Sequence, residues 1–265
     1  MNQSRENRQY ERWNLVATGE ILCRRFFDAS IAIIRPNEMK DGIFSRFDSF
    51  IHSSIRNSIV RLIRFSNFLP STTEYGDPIS YDTTDLIGLQ QLRALDEQLS
   101  QQTTFVLLKK HSSSYFRSFG FSSSTSEITL VGFSKGCVVL NQLLEELTAL
   151  RLAKGPVDLS KFASRIRRFI WLDGGHNNGE HAMIWPTDDN LLNTLLDNQI
   201  DIEIYVTPFQ INSSNPYKIH HTKQYGKFLE LLQTRLANVR NYRNEMFFAN
   251  QRASIEKHFE LLTVF

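Results

Sequence analysis

One stretch near the middle of the chain, residues 127–150, constrains the fold more than any other. It reads EITLVGFSKGCVVLNQLLEELTAL, a short apolar run that ends in Gly-Phe-Ser-Lys-Gly and passes directly into apolar residues at helical spacing. The run predicts a buried strand, and the spacing predicts a helix behind it. A serine between two glycines at such a joint is typical of a nucleophile elbow, where a sharp turn exposes the serine hydroxyl above a sheet.

Strand and helix patterns alternate regularly from this stretch to the end of the chain. The predicted strands are EITLVGF, RFIWLD, DIEIYVTPF and NEMFFA, and helical patterns lie between and after them. Such alternation predicts an α/β fold, with a mostly parallel sheet and helices on both faces. Sites in these sheets lie beyond the carboxyl ends of the strands. The residues that directly follow each strand are therefore the candidates for function.

The first half of the chain has weaker signals. We predict a helix over residues 13–27, a buried strand at SIAIIRP, a loop-rich excursion over 44–70 and a helix within TTDLIGLQQLRALDEQL. A serine-rich stretch at about residues 111–126 predicts a flexible insertion. At 265 residues the chain has the length of one large α/β domain, so we expect a single domain over 1–265.

Composition excludes several classes of function. A formal charge of +2 gives no reason to expect a nucleic-acid partner, and two cysteines in different elements support neither a disulfide framework nor a thiolate zinc site. No run approaches the roughly 18 apolar residues of a membrane span. We expect no cofactor, because the chain lacks a Gly-rich dinucleotide fingerprint. No transit peptide is visible, which indicates a cytoplasmic protein if the start is genuine.

Three residues form the predicted catalytic set. Ser134 of the elbow is the candidate nucleophile, and it requires a base and an acid that orients the base. His258 follows the last predicted strand and is the candidate base. Asp173 ends RFIWLD and is the candidate acid, because the turn after DIEIYVTPF offers Asn212 and Asn215 but no carboxylate. The alternatives are a surface histidine at 258 and a turn aspartate at 173 that caps its own backbone.

Phe133, Lys135 and His176 are the candidates for oxyanion and substrate contacts. The backbone N–H of Lys135 opens the helix after the elbow, where an oxyanion would be stabilised. Its cationic side chain opposes the helix dipole there. This position indicates either an anionic substrate group at the site or, as the favoured interpretation, an exposed lysine that points away.

The remaining histidines and the second cysteine have simpler interpretations. His176 with Glu180 and His181 has metal-binding residue types, but the spacing does not fit a helical H-E-x-x-H site, so we expect no metal. His220 and His221 open a helix and are predicted to be solvated. Cys137 is interpreted as a small packing residue.

Four segments resemble the chromosome 2 open reading frame 69 family of metazoan mitochondrial proteins: VGFSKGCVVLNQLLEEL, WLDGGHNNG, VTPFQI and SIEKHFELLTVF. The resemblance implies an α/β-hydrolase-like fold, a location in the mitochondrial matrix, and a link to respiratory function and, more loosely, to glycogen metabolism. It marks Ser134, Asp173 and His258 as the site. Members typically begin with a targeting region and a strand that supplies a second oxyanion amide, and this chain is expected to lack these N-terminal strands.

Two functions follow as hypotheses. The first is a serine hydrolase that transfers an acyl group from a small ester or thioester to water. The alternative is a non-catalytic protein of hydrolase fold that binds a mitochondrial protein partner or a metabolite.

Overall fold

The computed structural model describes residues 10–42, 44–51, 72–100, 103–110, 113–120, 126–176, 183–212, 214–235 and 241–265. Its helices are α1 (Leu15–Arg25), α2 (Ile87–Ser100), α3 (Gly136–Leu152), α4 (Val157–Ala163), α5 (Asp189–Asp197), α6 (Ile219–Gln233) and α7 (Ile255–Val264). Its strands are β1 (Glu38–Lys40), β2 (Phe44–Arg46), β3 (Thr103–Lys110), β4 (Ser113–Gly120), β5 (Ile128–Phe133), β6 (Ile166–Leu172), β7 (Asp201–Val206) and β8 (Tyr242–Met246). Among the described helices, none has the length and apolar character needed to cross a membrane.

Strands β5 to β8 form a four-stranded sheet in which each strand pairs in parallel with the next along the chain. Phe133, Leu172, Tyr205 and Glu245 lie at successive pairing positions across it. The carboxyl ends of the strands are therefore nearly level. This arrangement confirms the predicted α/β class and the parallel sheet.

Helices cover both faces of the sheet. Side chains alternate along a strand, so Phe169 and Trp171 of β6 pack into one cluster with residues of α3, α5 and α6. Ile170 and Leu172 pack into a second cluster with residues of α1 and α7. All four β6 side chains are fully buried, which is worth about 1.5–3 kcal/mol for each aliphatic side chain. The prediction of helices on both faces is confirmed.

The structure departs from the predictions mainly before residue 127. The segment 30–36 is not a strand: no strand of the described residues pairs with it, and Ile31 and Ile33 pack instead beside α1 and α7. Part of the predicted serine-rich insertion, residues 113–120, is strand β4, which pairs with β3 in an antiparallel hairpin. Composition favoured a loop there, but the preceding segment supplies a pairing partner. Residues 52–70 of the predicted excursion lie outside the described residues, and its start contains β2.

Candidate functional site

Three polar residues directly follow three neighbouring strands of the sheet. Ser134 follows β5, Asp173 follows β6 and Thr207 follows β7. The backbone N–H of Ser134 donates to the carbonyl of Leu172 at 2.8 Å, and that of Asp173 donates to the carbonyl of Tyr205 at 2.8 Å. The sheet's hydrogen bonding thus continues through both residues and fixes them at its carboxyl edge.

The backbone at Ser134 turns sharply between β5 and α3. Its φ is 52°, in the left-handed region that costs a residue with a side chain about 1–2 kcal/mol. A Cβ at Gly132 would lie 2.8 Å from the carbonyl carbon of Gly136, so strand and helix meet backbone to backbone. Helix α3 begins at once, and within the described residues no side chain caps its first turn. The amides of Cys137 and Val138 donate to the carbonyls of Ser134 and Lys135 at 3.1 Å, so among the described residues only the Lys135 and Gly136 amides lack a backbone partner at this end of the helix.

Asp173 and His258 form a buried pair beside this turn. The Oδ2 atom of Asp173 lies 2.7 Å from Nδ1 of His258 and accepts a hydrogen bond from Thr207 Oγ1 at 2.6 Å. Its Oδ1 atom accepts from the Thr207 amide at 2.7 Å. Asp173 is 0% exposed and His258 is 3% exposed. Because a buried carboxylate accepts hydrogen bonds, the proton of the neutral imidazole lies on Nδ1, and Nε2 is left as an acceptor.

Packing holds the His258 ring in place. The ring of Phe133, the residue before the nucleophile candidate, stacks on it at a centroid distance of 4.6 Å. Phe209 contacts it at 5.0 Å. Ser254 caps the N-terminus of α7 by accepting from the amide of Lys257, which fixes the turn that carries the histidine. Phe133, predicted to contact substrate, therefore supports the imidazole.

A second histidine contacts Ser134. The Oγ atom of Ser134 lies 3.1 Å from Nε2 of His176. In the part of the chain that the structure describes, no hydrogen bond joins Ser134 to His258. The Nδ1 atom of His176 lies 3.6 Å from Oδ1 of Asp77, somewhat longer than a hydrogen bond. A second histidine and carboxylate thus meet at the serine, and sequence reasoning missed Asp77.

Lys135 does not point away from the site. It is 6% exposed, its Nζ lies 3.1 Å from Oδ1 of Asp77, and it donates to the carbonyl of Tyr75. The prediction of an exposed lysine is therefore wrong, and its charge is paired within the protein rather than left for an anionic substrate. Burial alone would raise the pKa of Asp77, but His176 and Lys135 outweigh it and lower that pKa below the usual value.

Burial favours the neutral form of His176. Burial is the largest cause that lowers its pKa, and the positive charge of Lys135 and the nearby His258 lower it further. Asp77 acts in the opposite direction. His176 in turn acts electrostatically on the nearby His221 and contributes to lowering the pKa of that histidine. With its pKa below the ordinary value of 6.5, the His176 imidazole is neutral at pH 7 and can accept a proton.

Other predicted residues lie close by. Cys137 is a packing residue: it is 2% exposed, its thiol donates to the Gly132 carbonyl, and burial raises its pKa. His221 is only partly solvated: the residue is half-buried, its Nδ1 atom is fully buried, and burial lowers its pKa to about 4. His220 hydrogen-bonds to Gln224.

Most of the segment that carries metal-binding residue types after His176 lies outside the described structure. Glu180 and His181 lie outside the described residues. Within the described ranges, no group of three or more His, Cys, Asp or Glu side chains could hold an ion.

Comparison with known proteins gives a consistent result. The model of the C2orf69 family matches residues 1–118 and 71–238. The mouse (Mus musculus) "Mitochondrial protein C2orf69 homolog" is 29% identical over 278 residues, covering 100% of this chain and 73% of its own. The human (Homo sapiens) "Mitochondrial protein C2orf69" is 28% identical over 279 residues, covering 100% and 70%. The zebrafish (Danio rerio) homolog is 29% identical over 257 residues, covering 96% and 65%. No solved structure matches the chain significantly.

Proposed function

The chain belongs to the C2orf69 family, and within that family we propose that it is a serine hydrolase of α/β-hydrolase-like fold, with Ser134 as nucleophile, His258 as base and Asp173 as the acid that orients the base. The observation that carries this proposal is the strained serine at the joint of β5 and α3, beside a buried Asp173–His258 pair. Serine and acid directly follow two neighbouring strands, and the histidine lies on the helix after the last strand, in the chain order that hydrolases of this fold use.

The proposed reaction transfers an acyl group from an ester or thioester to water. The Ser134 hydroxyl rotates about χ1 from His176 toward His258, and Oγ bonds to the substrate carbonyl carbon while its proton passes to Nε2 of His258. The imidazolium gives that proton to the leaving alcohol or thiol. A water molecule then repeats the sequence on the acyl-enzyme. Asp173 stabilises the imidazolium without taking its proton.

The first turn of α3 supplies the proposed oxyanion site. The backbone N–H of Lys135 lies at the positive end of the helix dipole, where negative charge on the carbonyl oxygen is stabilised. Loss of one such donor typically slows an acyl transfer by about 100- to 1,000-fold. General-base catalysis contributes about 100- to 10,000-fold, so the amide and the base are expected to make comparable contributions to the rate.

We place this activity in mitochondria, because the relatives are named mitochondrial proteins. The matrix compartment and the connection with respiration stay predictions from the family resemblance. A test is complementation in cells that lack the endogenous family member, with the wild-type chain compared with Ser134→Ala. Rescue of respiration by wild type alone would support both the connection and its dependence on hydrolysis.

Covalent labelling with a fluorophosphonate tests the chemistry directly. Intact-mass analysis should show one adduct on the wild-type chain, no adduct on Ser134→Ala, and full labelling of Ser160→Ala, a control whose hydroxyl lies exposed on α4 and bonds to the Pro156 carbonyl. A panel of acyl esters and thioesters would then give the substrate class. If Ser134 stays unlabelled while the folded protein still rescues cells as Ser134→Ala, the chain acts as the alternative predicts, by binding a partner or metabolite.

A further inference from the structure

Two histidine–carboxylate pairs lie near the elbow that carries Ser134. Asp173 and His258 come from the end of β6 and from α7, whereas His176 lies three residues after Asp173 and Asp77 lies far upstream, on the segment 72–78. That segment is closed by a bridge between Thr72 and Pro78. Of the two pairs, the one formed by His176 and Asp77 contacts the serine hydroxyl, since Nε2 of His176 lies 3.1 Å from Oγ of Ser134.

The position of Asp77 determines which ring nitrogen of His176 is free. A carboxylate can only accept, so Asp77 at 3.6 Å favours the tautomer with its proton on Nδ1. The Nε2 atom then accepts from the Ser134 hydroxyl, which is the arrangement a general base requires. Lys135 keeps Asp77 ionised and in place through its contact at 3.1 Å.

On the basis of the proposed function, we propose that His176, oriented by Asp77, is a second general base for Ser134. The serine proton can then be transferred to either imidazole. When it leaves through His176, Oγ bonds to the carbonyl carbon as the Oγ–H bond breaks, and the proton moves to Nε2. The imidazolium then protonates the leaving oxygen or sulfur as its bond to the acyl carbon breaks. With the fluorophosphonate, the phosphorus–fluorine bond breaks and fluoride leaves.

The test measures labelling rates of His176→Gln, His258→Gln and the double variant. General-base catalysis contributes about 100- to 10,000-fold. If the two bases act in parallel, each single variant should lose only part of this rate enhancement, because the other base remains. The double variant should lose all of it. The fold-decrease in its labelling rate should therefore exceed the product of the two single-variant decreases. Residues of one catalytic unit behave otherwise, because the double variant is then hardly slower than the worse single variant. That second result would overturn the proposal.

A further set of variants guards against misfolding, because His258 is deeply buried. Asp173→Asn should silence His258 without removing it, because the Asn amide favours the wrong imidazole tautomer. In that background Asp77→Asn should slow labelling further, whereas Glu74→Gln, an exposed carboxylate on the same segment, should leave it unchanged. In the His176→Gln background Asp77→Asn should have no effect. Circular dichroism melting checks that each variant is folded.

The pH profile supplies a readout that a structural role would not move. In Asp173→Asn, labelling should persist below pH 6.5, because the remaining base has a lowered pKa. Since Asp77 raises that pKa, adding Asp77→Asn should move the pH at which the labelling rate falls to a still lower value. If that pH does not change, the role of His176 as a second base is contradicted, whereas the proposed function is not. Loss of Ser134-dependent labelling in the wild-type protein would instead contradict the proposed function, and this inference with it.

Discussion

The two glycines that flank Ser134 should respond in opposite ways to alanine. At Gly132 an added Cβ would lie 2.8 Å from the carbonyl carbon and oxygen of Gly136 and 2.8 Å from Cγ of Leu140. The first two atoms belong to backbone at the start of α3, which cannot rotate aside. The helix must therefore move away from β5, and the turn that holds the serine must move with it. At Gly136 an added Cβ meets nothing within 4 Å.

The magnitudes follow from these contacts. Overpacking of a buried site costs about 1–3 kcal/mol, and contact with fixed backbone places Gly132→Ala at the upper end of that range. For Gly136→Ala the helix propensity of alanine should instead stabilise the protein by up to about 1 kcal/mol. A gap of about 2–4 kcal/mol should therefore separate the two variants. A shift of the serine by 1 Å would also slow labelling of Gly132→Ala by about 100-fold.

Urea denaturation gives the stability difference and fluorophosphonate labelling gives the activity. Both variants add one methyl group within the same five residues, so each controls for the other. Equal stabilities and equal labelling rates would show that β5 and α3 do not approach as closely as the structure has them. The elbow interpretation of Ser134 would then lose its geometric basis.

Three further predictions concern other parts of the site and core. Asp173→Asn should keep its left-handed backbone, since asparagine tolerates this region, and should slow labelling to the rate of His258→Gln but no further. Gly76→Ala should slow labelling as Asp77→Asn does, because Gly76 has φ of 74° and its Cβ would lie 2.9 Å from a side chain of β2. Glu146→Ala should lower the free energy of unfolding, measured in urea, by about 2–6 kcal/mol, because it leaves two amides at the start of α2 unpaired at about 1–3 kcal/mol each.

The second half of the fold was predictable because its signals are local. Strands β6 and β7 are largely buried within the parallel sheet and β5 is partly buried at its edge, and all three read as short apolar runs between helical patterns. The segment 30–36 has the same apolar character but lies beside helices α1 and α7 instead of pairing. Whether an apolar run finds a strand partner is decided by distant residues, which a local pattern does not contain.

The site shows the same division. Ser134, Asp173 and His258 were predictable from their places after strands of one sheet, and Thr207 has the same signal, since it directly follows β7. Asp77 has no comparable signal, because only the tertiary fold brings its turn close to the elbow that carries Ser134. The side chain of Lys135 was misjudged for the same reason: the carboxylate that pairs with it lies 58 residues earlier in the chain.

The ion pair between Lys135 and Asp77 also helps to keep His176 in the candidate site. The lysine side chain is 7% exposed, so its charge requires a partner, and removal of a partner from a buried ion pair costs about 3–5 kcal/mol. Asp77 is 24% exposed on its side chain, so screening by water reduces this figure. Even a fraction of this free energy favours a segment 72–78 that stays in contact with Lys135. Because the same Oδ1 atom also faces His176, the contact that neutralises the lysine keeps His176, the proposed second base, oriented toward Ser134.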